Sequence, residues 1–358
     1  MAVRRHAVIL AGGAGERFWP ASRAKHPKPF LKVLDGKSLL DATIARARRF
    51  ASRDCVWVVC GMEHERNVRR ATGLPAKRVL VEPERRNTAM AVGFAAVHIG
   101  ADDPDAVLAV LPADHAIPDA AAFVRDLKLA ATAASDAGAL ITLGVQPTRP
   151  DTGYGYIQVG PAASRQHPRL RRVRRFVEKP KAAVARRYLR SGSYLWNAGI
   201  FVFTAAAILE EMEVGAPELA KALAPLRRSP RVRSGDRVRR VYRRAPSLPI
   251  DVAVMERSRR VWTIPVSWHW SDVGTWLSLA EELGVAPGES RILDGEVVFD
   301  DQGGNLVWGG RRAVALLGVE GLAVIDTGDV LLVTKLDRSP DVRKIVGRLK
   351  QQGREDVT

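Results

Sequence analysis

Apolar runs alternate with amphipathic stretches over the first 150 residues. Buried strands are predicted where five to seven residues in a row are mostly apolar, at 7–11, 55–60, 78–82, 106–111 and 139–145. Helical periodicity marks the stretches between them, at about 38–50, 63–71, 88–101 and 120–137. Continuous apolar strands separated by amphipathic helices are typical of a parallel sheet covered on both faces. The pattern predicts an α/β domain that binds its ligands beyond the carboxyl ends of the strands.

The alternation of apolar runs and amphipathic stretches changes after residue 150. Further strands are predicted at 154–159, 171–178, 198–203 and 261–266, and further helices near 204–213, 216–226, 250–257 and 273–283. We expect this part to be an insertion that builds a second wall of the ligand crevice.

The C-terminal part has short apolar runs separated by Gly and Asp turns. They lie at 297–299, 306–308, 314–317, 322–325 and 330–333, which favours a compact β unit or a short β-solenoid. A last helix begins near Ser339-Pro340, and its apolar stripe is formed by Val342, Ile345, Val346 and Leu349. We expect this stripe to dock on its own domain. The predicted domains are 1–286 and 287–358.

Composition narrows the class of protein. The 358 residues are 46% hydrophobic, which suits a globular chain with a sizeable core. The net charge of +17 suits nucleic acid, an anionic membrane surface or anionic small substrates. Arginine concentrates at 169–175 and at 227–244, where Tyr242 is the one aromatic residue, and such basic runs are more typical of a solvated face. Because no nucleic-acid motif accompanies the charge, we expect no specific nucleic-acid partner.

The cysteines and the N-terminus give no sign of a metal site or an export signal. Cys55 and Cys60 flank an apolar run without zinc or redox spacing, so we expect buried thiols. The N-terminus, Met1 to Arg5, is basic, but the apolar segment that follows it is too short for a signal peptide. No apolar run approaches the roughly 18 residues of a membrane helix. We expect a cytoplasmic, soluble protein with no membrane partner.

A glycine loop follows the first strand, at Gly12-Gly13-Ala14-Gly15. Four cations come after it, Arg17, Arg23, Lys25 and Lys28. Glycines allow backbone N–H groups to approach phosphate oxygens, so the loop predicts a phosphate cradle, with a plain tight turn as the alternative. A dinucleotide fingerprint would place glycine where Phe18 stands, and a Walker loop would need Gly-Lys-Ser/Thr. A nicotinamide oxidoreductase is therefore disfavoured.

The loop and the residues after it resemble a known signature. Gly12 to Arg17, Phe18-Trp19-Pro20, Ser22-Arg23 and Pro27-Lys28 are similar to sugar-1-phosphate nucleotidyltransferases, and the Phe-Trp-Pro-x-Ser-Arg part is similar to their mannose-1-phosphate guanylyltransferase branch. The chain departs from the usual pattern at Glu16, where Thr is common, and at Pro29, where Gln is usual.

The resemblance implies a fold and a reaction. The fold is a Rossmann-like nucleotidyltransferase domain with a mainly parallel sheet, followed by a small β unit, a short left-handed β-helix, and a terminal helix. The reaction transfers GMP from GTP to α-D-mannose 1-phosphate, giving GDP-mannose and diphosphate. Positioning and electrostatic stabilisation supply most of the rate in such a transfer, usually with Mg²⁺. We expect Arg17 to hold the β- and γ-phosphates, and Lys28 to bridge the α-phosphate and the sugar phosphate.

Two aspartates are candidate metal ligands. Asp114 follows the strand at 106–111, and Asp272 lies in the block from Trp270 to Trp276. The resemblance implies that both bind the metal, and two carboxylates plus phosphate oxygens suit Mg²⁺. The alternative for Asp272 is a helix N-cap. His115 is expected to be a structural neighbour of Asp114.

The resemblance also implies the binding residues. The nucleotide would contact Leu10, Ala11, Gly12, Gly13, Gly15, Glu82, Asn87, Thr88 and Asp114. The sugar phosphate would contact Gly153, Tyr154, Glu178, Lys179, Asn197 and Gly199. Alternatives stay open for four residues: Thr88 as a helix N-cap, Glu178 with Lys179 as a surface ion pair, and Tyr154 as an ordinary strand aromatic. Residues 251–256 resemble another family block, whose apolar members we expect to pack.

Other functions remain open at this point. The chain could use another sugar 1-phosphate or another nucleoside triphosphate, be a non-catalytic regulatory homologue, or bind nucleic acid through its arginines. Bifunctional relatives add a C-terminal isomerase cupin, and we expect this chain to be too short to hold one. A homodimer is a further expectation.

Overall fold

The computed structural model describes residues 4–13, 15–34, 36–299, 303–310 and 312–358. Ala14 of the glycine loop and the first three residues of the basic N-terminus lie outside this range. The strands before residue 270 are β1 (Arg5–Leu10), β2 (Lys32–Leu34), β3 (Lys37–Ser38), β4 (Val56–Gly61), β5 (Val79–Glu82), β6 (Val107–Pro112), β7 (Leu140–Val145), β8 (Tyr156–Ala162), β9 (Arg171–Val177), β10 (Tyr194–Thr204) and β11 (Val261–Val266). The later strands are β12 (Arg291–Asp294), β13 (Val297–Phe299), β14 (Leu306–Trp308), β15 (Val314–Leu316), β16 (Leu322–Asp326) and β17 (Leu331–Lys335).

The helices are α1 (Leu39–Phe50), α2 (Glu65–Thr72), α3 (Asn87–Gly100), α4 (Ala120–Ala137), α5 (Ala182–Ser191), α6 (Ala205–Gly215), α7 (Pro217–Arg227), α8 (Asp236–Arg244), α9 (Trp276–Glu282) and α10 (Val342–Gln351). A π-helix covers Asp251–Met255 where the sequence pattern predicts an ordinary helix. The described helices include none that is long and apolar enough to cross a membrane.

The chain forms two compact units. The first unit comprises residues 1–12, 43–113 and 117–270, and the second unit comprises residues 13–42, 114–116 and 271–358. The domain boundary between 286 and 287 stays a prediction.

A nine-stranded sheet forms the centre of the first unit, in the order β5-β4-β1-β6-β10-β7-β11-β9-β8. The adjacent strands β5, β4, β1 and β6 pair in parallel. Strand β10 lies between β6 and β7 and is antiparallel to both. Every strand of this sheet except β9 and β10 runs in one direction, so the predicted mainly parallel sheet is confirmed. The strands after residue 150 enlarge the same sheet, and the expectation that this part builds a second wall of the ligand crevice stays a prediction.

Both faces of this sheet are covered. Consecutive residues of β4 and β6 are buried, as expected for strands with a helix layer on each side. Helix α3 is apolar on all sides because it packs on the sheet and also contacts α6 and α7. Gly93 lets α7 approach closely, since a Cβ at this position would lie 2.5 Å from Leu223 Cδ1.

Helix α8 explains part of the arginine-rich segment 227–244. Val238, Val241 and Tyr242 are buried in the core of the first unit, while most arginines of the helix are exposed. The sequence pattern did not predict this helix, because its apolar stripe is narrow among nine arginines in the segment.

The second unit contains the predicted β-helix. Strands β12, β14 and β16 stack in parallel, with Arg291 opposite Leu306 and Leu306 opposite Ala323. Strands β13 and β15 form a second parallel pair, and β17 adds an antiparallel edge to β16. The buried Asn305 side chain joins successive coils, donating to the Val319 carbonyl and accepting from the Leu322 N–H.

The last helix packs within this unit. Val342 and Val346 are buried in a core that also contains Phe18, Trp19 and Trp276. The predicted apolar stripe of α10 is confirmed for these two valines and for the partly buried Leu349. Ile345 is 41% exposed and lies outside the core.

Candidate active site

A cavity of about 390 Å³ lies in the second unit, and we call it the phosphate cavity. It is lined by Gly13, Gly15, Glu16, Arg17, Phe18, Lys28, Asp114, His115, Asp272, Gly274 and Arg343. The structure therefore brings together both predicted catalytic cations, both predicted metal ligands and two glycines of the loop. Arg343 comes from α10, and the sequence pattern gave no sign that this helix reaches the cavity.

Gly15 is required by the geometry of the loop. Its φ of 60° lies in the left-handed region that favours glycine. A Cβ at this position would lie 2.6 Å from Ser22 Oγ and 2.7 Å from Lys28 Cβ, which is too close for any side chain. The loop is thus packed directly against Lys28, a close approach that fits both the predicted phosphate cradle and the alternative of a plain tight turn.

Lys28 is a buried cation with two acceptors. Its Nζ donates to Asp114 Oδ2 at 2.7 Å and to the Asp272 carbonyl oxygen at 2.6 Å. The Lys28 side chain is only 7% exposed, so its charge is held in place by these partners. Three segments that are distant in sequence are joined at this ammonium group.

Asp114 is poised to be ionised. Burial would raise the pKa of its carboxyl group, but the positive charges of Lys28 and His115 outweigh burial and lower the pKa below its ordinary value. An anionic carboxylate suits a bound divalent cation.

Asp272 is not the N-cap of the helix that follows it. Thr275 takes that position in α9, with a reciprocal capping box to Ser278. Asp272 Oδ1 instead accepts from the Gly274 N–H at 3.1 Å in a tight turn. The turn contains Val273 at a φ of 43°, which is unfavourable for a β-branched residue.

The two aspartates fit a divalent metal that completes its shell with phosphate oxygens. Both line the phosphate cavity, and Asp114 is in the charged form. Within the described ranges, no three His, Cys, Asp or Glu side chains gather as a closed metal cage. An open site of this kind suits Mg²⁺, which is commonly bound by one or two carboxylates plus substrate phosphates.

The predicted nucleotide-binding residues of the first unit form a second cluster, the nucleobase group. Glu82 ends β5, and a Cβ on Gly12 would lie 3.6 Å from Glu82 Oε2. Leu10 ends β1, and the Ala11 N–H donates to the Val59 carbonyl at 2.9 Å, which sets the direction of the chain into Gly12. The parallel register of β1, β4 and β5 places these residues at one edge of the sheet.

Asn87 and Thr88 open helix α3 beside this group. Arg86 occupies the N-cap position, so the alternative role of Thr88 as the N-cap is wrong. Thr88 Oγ1 instead accepts from the Ile250 N–H at 2.8 Å. Asn87 has a φ of 64°, and its Oδ1 accepts from the Thr88 N–H.

Glu82 is unusual because it is 8% exposed and has no cationic hydrogen-bond partner among the described residues. Burial raises the pKa of its carboxyl group to about 7, while a hydrogen bond from Tyr242 Oη at 3.3 Å opposes the shift. The carboxyl can therefore change its protonation state near neutral pH.

The predicted sugar-phosphate residues form a third cluster, the sugar group. Two of them precede β8, two follow β9, and Asn197 and Gly199 lie within β10, where its pairing with β7 is irregular. A Cβ on Gly155 would lie 2.6 Å from Glu178 Oε2 and 3.3 Å from Asn197 Cβ, so this glycine keeps the space beside both side chains open. Glu178 accepts from Lys179 Nζ at 2.5 Å, and its backbone N–H donates to Glu256 Oε1.

The other members of the sugar group surround this pair. Gly199 has a φ of 66°, and its N–H donates to Asn197 Oδ1 at 3.1 Å. Tyr154 packs edge-on against Trp196 and Trp270, with ring centroids 5.0 and 5.3 Å apart. Gly153 lies in an exposed turn and donates its N–H to Asp151 Oδ1 at 2.8 Å.

Asp251 belongs to the sugar group, although the sequence pattern predicts only packing for its segment. Asn197 Nδ2 donates to Asp251 Oδ1 at 2.8 Å. The N–H of the neighbouring Ile250 donates to Thr88 Oγ1. Ile250 therefore contacts the nucleobase group, and the adjacent Asp251 contacts the sugar group. Asp251 begins the π-helix at Asp251–Met255, which the sequence pattern does not predict. Short π-helical turns are frequent at functional sites.

Replacing Asp251 by Asn should stabilise the protein at high pH. Burial and the charge of Glu178 raise the pKa of Asp251 to about 7, above its ordinary value of 3.8. The contribution of Asp251 to stability is therefore fully present below pH 3.8, the ordinary pKa that Asp251 has in the unfolded chain. This contribution is lost as pH rises through about 7, the pKa of Asp251 in the folded chain. Asp251→Asn stays neutral and can still accept from Asn197. We expect its gain in melting temperature over the wild type to be several degrees at pH 8 and small at pH 4.

Thermal unfolding at both pH values checks this prediction, with the exposed Asp236→Asn as the charge-matched control. An equal change in melting temperature at pH 4 and pH 8 would show that Asp251 does not titrate differently in the folded chain.

Strained backbone marks all three clusters. The described non-glycine residues with positive φ are Asn87, Lys179 and Val273, which lie in the nucleobase group, in the sugar group and beside Asp272. Such conformations cost about 1 to 3 kcal/mol each and concentrate at binding sites. Their positions support the assignment of these clusters to function.

Comparisons with known proteins agree with this geometry. Residues 6–284 match the family model described as nucleotidyl transferase, and residues 295–349 match the model described as MannoseP isomerase/GMP-like beta-helix domain. The xanthan biosynthesis protein XanB of Xanthomonas campestris is 37% identical over 98% of this chain and 74% of its own length. The mannose-1-phosphate guanylyltransferase RfbM of Salmonella typhimurium is 36% identical over 98% of this chain and 73% of its own length.

A solved structure extends the similarity to the whole fold. The Thermus thermophilus protein described as a mannose-1-phosphate geranyltransferase is 36% identical, with a TM-score of 0.87 over 97% of this chain and 100% of that chain. The predicted Rossmann-like transferase domain with a β-helix domain is thereby confirmed. The chain belongs to the nucleotidyl transferase family.

Proposed function

We propose that this protein transfers GMP from GTP to α-D-mannose 1-phosphate, giving GDP-mannose and diphosphate. Support for the class of reaction comes from the phosphate cavity, where the buried Lys28 is paired with the partly exposed Asp114 against the glycine loop. Support for the substrates comes from relatives such as RfbM, which is named a mannose-1-phosphate guanylyltransferase.

The phosphate cavity has the groups that this transfer needs. A sugar phosphate is already anionic and attacks the α-phosphate without a side-chain base, so catalysis depends on placing and neutralising phosphate charge. Lys28 neutralises the α-phosphate as a fixed point charge, and Arg17 holds the departing diphosphate with its planar fork. Backbone N–H groups of Gly13 and Gly15 add donors that need no side chain.

Members of this family generally use a divalent metal, and we propose Mg²⁺ here. Asp114 and Asp272 would hold it, and it would supply positive charge to the phosphate oxygens. Lys28 prepares both residues for the metal. Its ammonium group keeps Asp114 ionised, and it fixes the backbone of Asp272 by donating to the Asp272 carbonyl oxygen.

The nucleobase group supports a preference for guanine. Ionised Glu82 can only accept hydrogen bonds, and guanine offers an amino donor at N2 that adenine lacks at the same position. Because Glu82 is buried, an unmatched base would leave a charge without partners, which is a strong basis for discrimination.

GTP recognition by Glu82 should depend on pH. The pKa of about 7 means that the free carboxyl is increasingly protonated below neutral pH and loses its acceptor. We therefore expect KM for GTP to rise as pH falls from 8 to 6. Glu82→Gln should lower kcat/KM for GTP on the order of 10- to 100-fold and flatten this dependence, because a charge-assisted bond is lost.

Steady-state kinetics between pH 6 and pH 8 test this prediction. Tyr242→Phe is the matched variant, since it removes the hydroxyl that lowers the Glu82 pKa and should move the midpoint to higher pH. A Glu82→Gln enzyme whose pH profile follows the wild type would remove Glu82 from base recognition.

The sugar group provides the mannose 1-phosphate site in this proposal. Glu178 and Asn197 offer acceptors and donors to sugar hydroxyls, and Lys179 offers a cation to the sugar phosphate. Gly155 and Gly199 leave room for the ring. The 61% exposed Lys179 side chain is accessible to such a ligand.

A substrate screen tests the proposal. Diphosphate release is measured for GTP, ATP, UTP and dTTP, each with mannose 1-phosphate or glucose 1-phosphate. We expect the highest kcat/KM for GTP with mannose 1-phosphate. Turnover with another pair would retain the nucleotidyl transfer and overturn the substrate assignment. A cytoplasmic location and a homodimer stay predictions.

A further inference from the structure

Helix α10 is anchored beside the glycine loop. Its Lys350 Nζ donates to Glu16 Oε1 at 2.6 Å, and the Trp19 Nε1–H donates to the Val357 carbonyl just beyond the helix at 2.6 Å. Val342 and Val346 are buried in the same core as Phe18 and Trp19. The helix is therefore held in a fixed position against the segment that carries Arg17.

Arg343 projects from this helix into the lining of the phosphate cavity, together with Arg17, Lys28 and Asp114. Its neighbours Val342 and Val346 fix the rotation of the helix, because both are 3% exposed. The position of the arginine is thus set by the buried contacts of α10.

The charges around the cavity are unequally paired. Lys28 is paired with Asp114, and Glu16 is paired with Lys350. In the described part of the chain, Arg17 and Arg343 form no ion pair with any carboxylate. Two guanidinium groups that line one cavity without a carboxylate partner form a site for an anion, and their planar forks match the geometry of phosphate oxygens.

We propose that Arg343 is a second diphosphate-binding residue, which acts with Arg17 on the β- and γ-phosphates of the nucleotide. The inference rests on the proposed function. It makes the helix that follows the β-helix domain a part of the active site. The ligand class is a diphosphate or the diphosphate portion of a nucleoside triphosphate.

The reverse reaction isolates this role, because diphosphate and GDP-mannose are then separate substrates. For Arg343→Ala we expect KM for diphosphate to rise about tenfold, which corresponds to the loss of a charge-assisted bond, while KM for GDP-mannose changes less than about twofold. Arg343→Lys should recover part of the loss, since it keeps the charge without the fork.

Arg348→Ala is the matched control. Arg348 lies on the same helix and carries the same charge, but it lines a different groove. An equal rise in KM for diphosphate in both variants would show that the loss of any positive charge on α10 weakens diphosphate binding. That result would overturn a specific role of Arg343. An unchanged KM in Arg343→Ala would also overturn it.

A binding measurement separates this inference from the proposed reaction. Calorimetric titration of inorganic diphosphate with Mg²⁺ needs no turnover. If the wild type binds diphosphate and Arg343→Ala binds it about tenfold more weakly, Arg343 is confirmed even if GDP-mannose is not a substrate. If both proteins bind diphosphate equally, the inference fails whatever the sugar nucleotide.

Discussion

Asp114→Asn is expected to reduce kcat at least about 1,000-fold while the protein stays folded. The substitution keeps the shape of the side chain and an oxygen that can accept from Lys28, so the 2.7 Å contact can persist. It removes the negative charge that a divalent metal needs, and the metal would no longer be held against the phosphates.

The measurement is diphosphate release under saturating GTP and mannose 1-phosphate, with melting temperature as the test of folding. Asp105→Asn removes a charge from an exposed position and should leave kcat unchanged. An Asp114→Asn enzyme with more than about a tenth of the wild-type kcat would exclude Asp114 as an essential metal ligand.

Lys28→Met is expected to lower kcat/KM about 100- to 1,000-fold. The loss has two sources: the α-phosphate loses a fixed positive charge, and Asp114 loses the charge that keeps its pKa low. Removing Lys28 also leaves the partly exposed Asp114 carboxylate without its partner and lowers the free energy of unfolding, so rates must be referred to the folded fraction.

Lys28→Arg should not restore the activity. Gly15 leaves no space beside Lys28 Cβ, and the ammonium is enclosed by Asp114 and the Asp272 carbonyl. A bulky planar guanidinium cannot take that position without moving the glycine loop. Full activity in Lys28→Arg would show that only a diffuse positive charge is needed, which would contradict the proposed role of this lysine.

Local sequence signals predicted the elements that carry strong periodicity. The apolar runs at 106–111 and 139–145 became β6 and β7, and the glycine loop after residue 11 already indicated a phosphate site. The order of the strands was not accessible, because the insertion of β10 between β6 and β7 depends on contacts far apart in sequence.

The members of the site that were missed share a physical cause. Asp251 is recruited by a hydrogen bond to Asn197, 54 residues away in sequence, and its segment looks apolar. Arg343 is exposed on an amphipathic helix and is one of many arginines, so only the tertiary packing of α10 distinguishes it. Glu82 was predicted by resemblance, but its raised pKa follows from burial beside Tyr242, which lies in a helix that the sequence pattern did not predict.

The most direct test of the proposed function is ³¹P NMR of the wild-type protein with GTP, mannose 1-phosphate and Mg²⁺. Nucleotidyl transfer predicts that GDP-mannose and diphosphate appear in equal amounts, and that neither appears when mannose 1-phosphate is omitted. Release of orthophosphate, or loss of GTP that does not need the sugar phosphate, would contradict the transfer of GMP to mannose 1-phosphate.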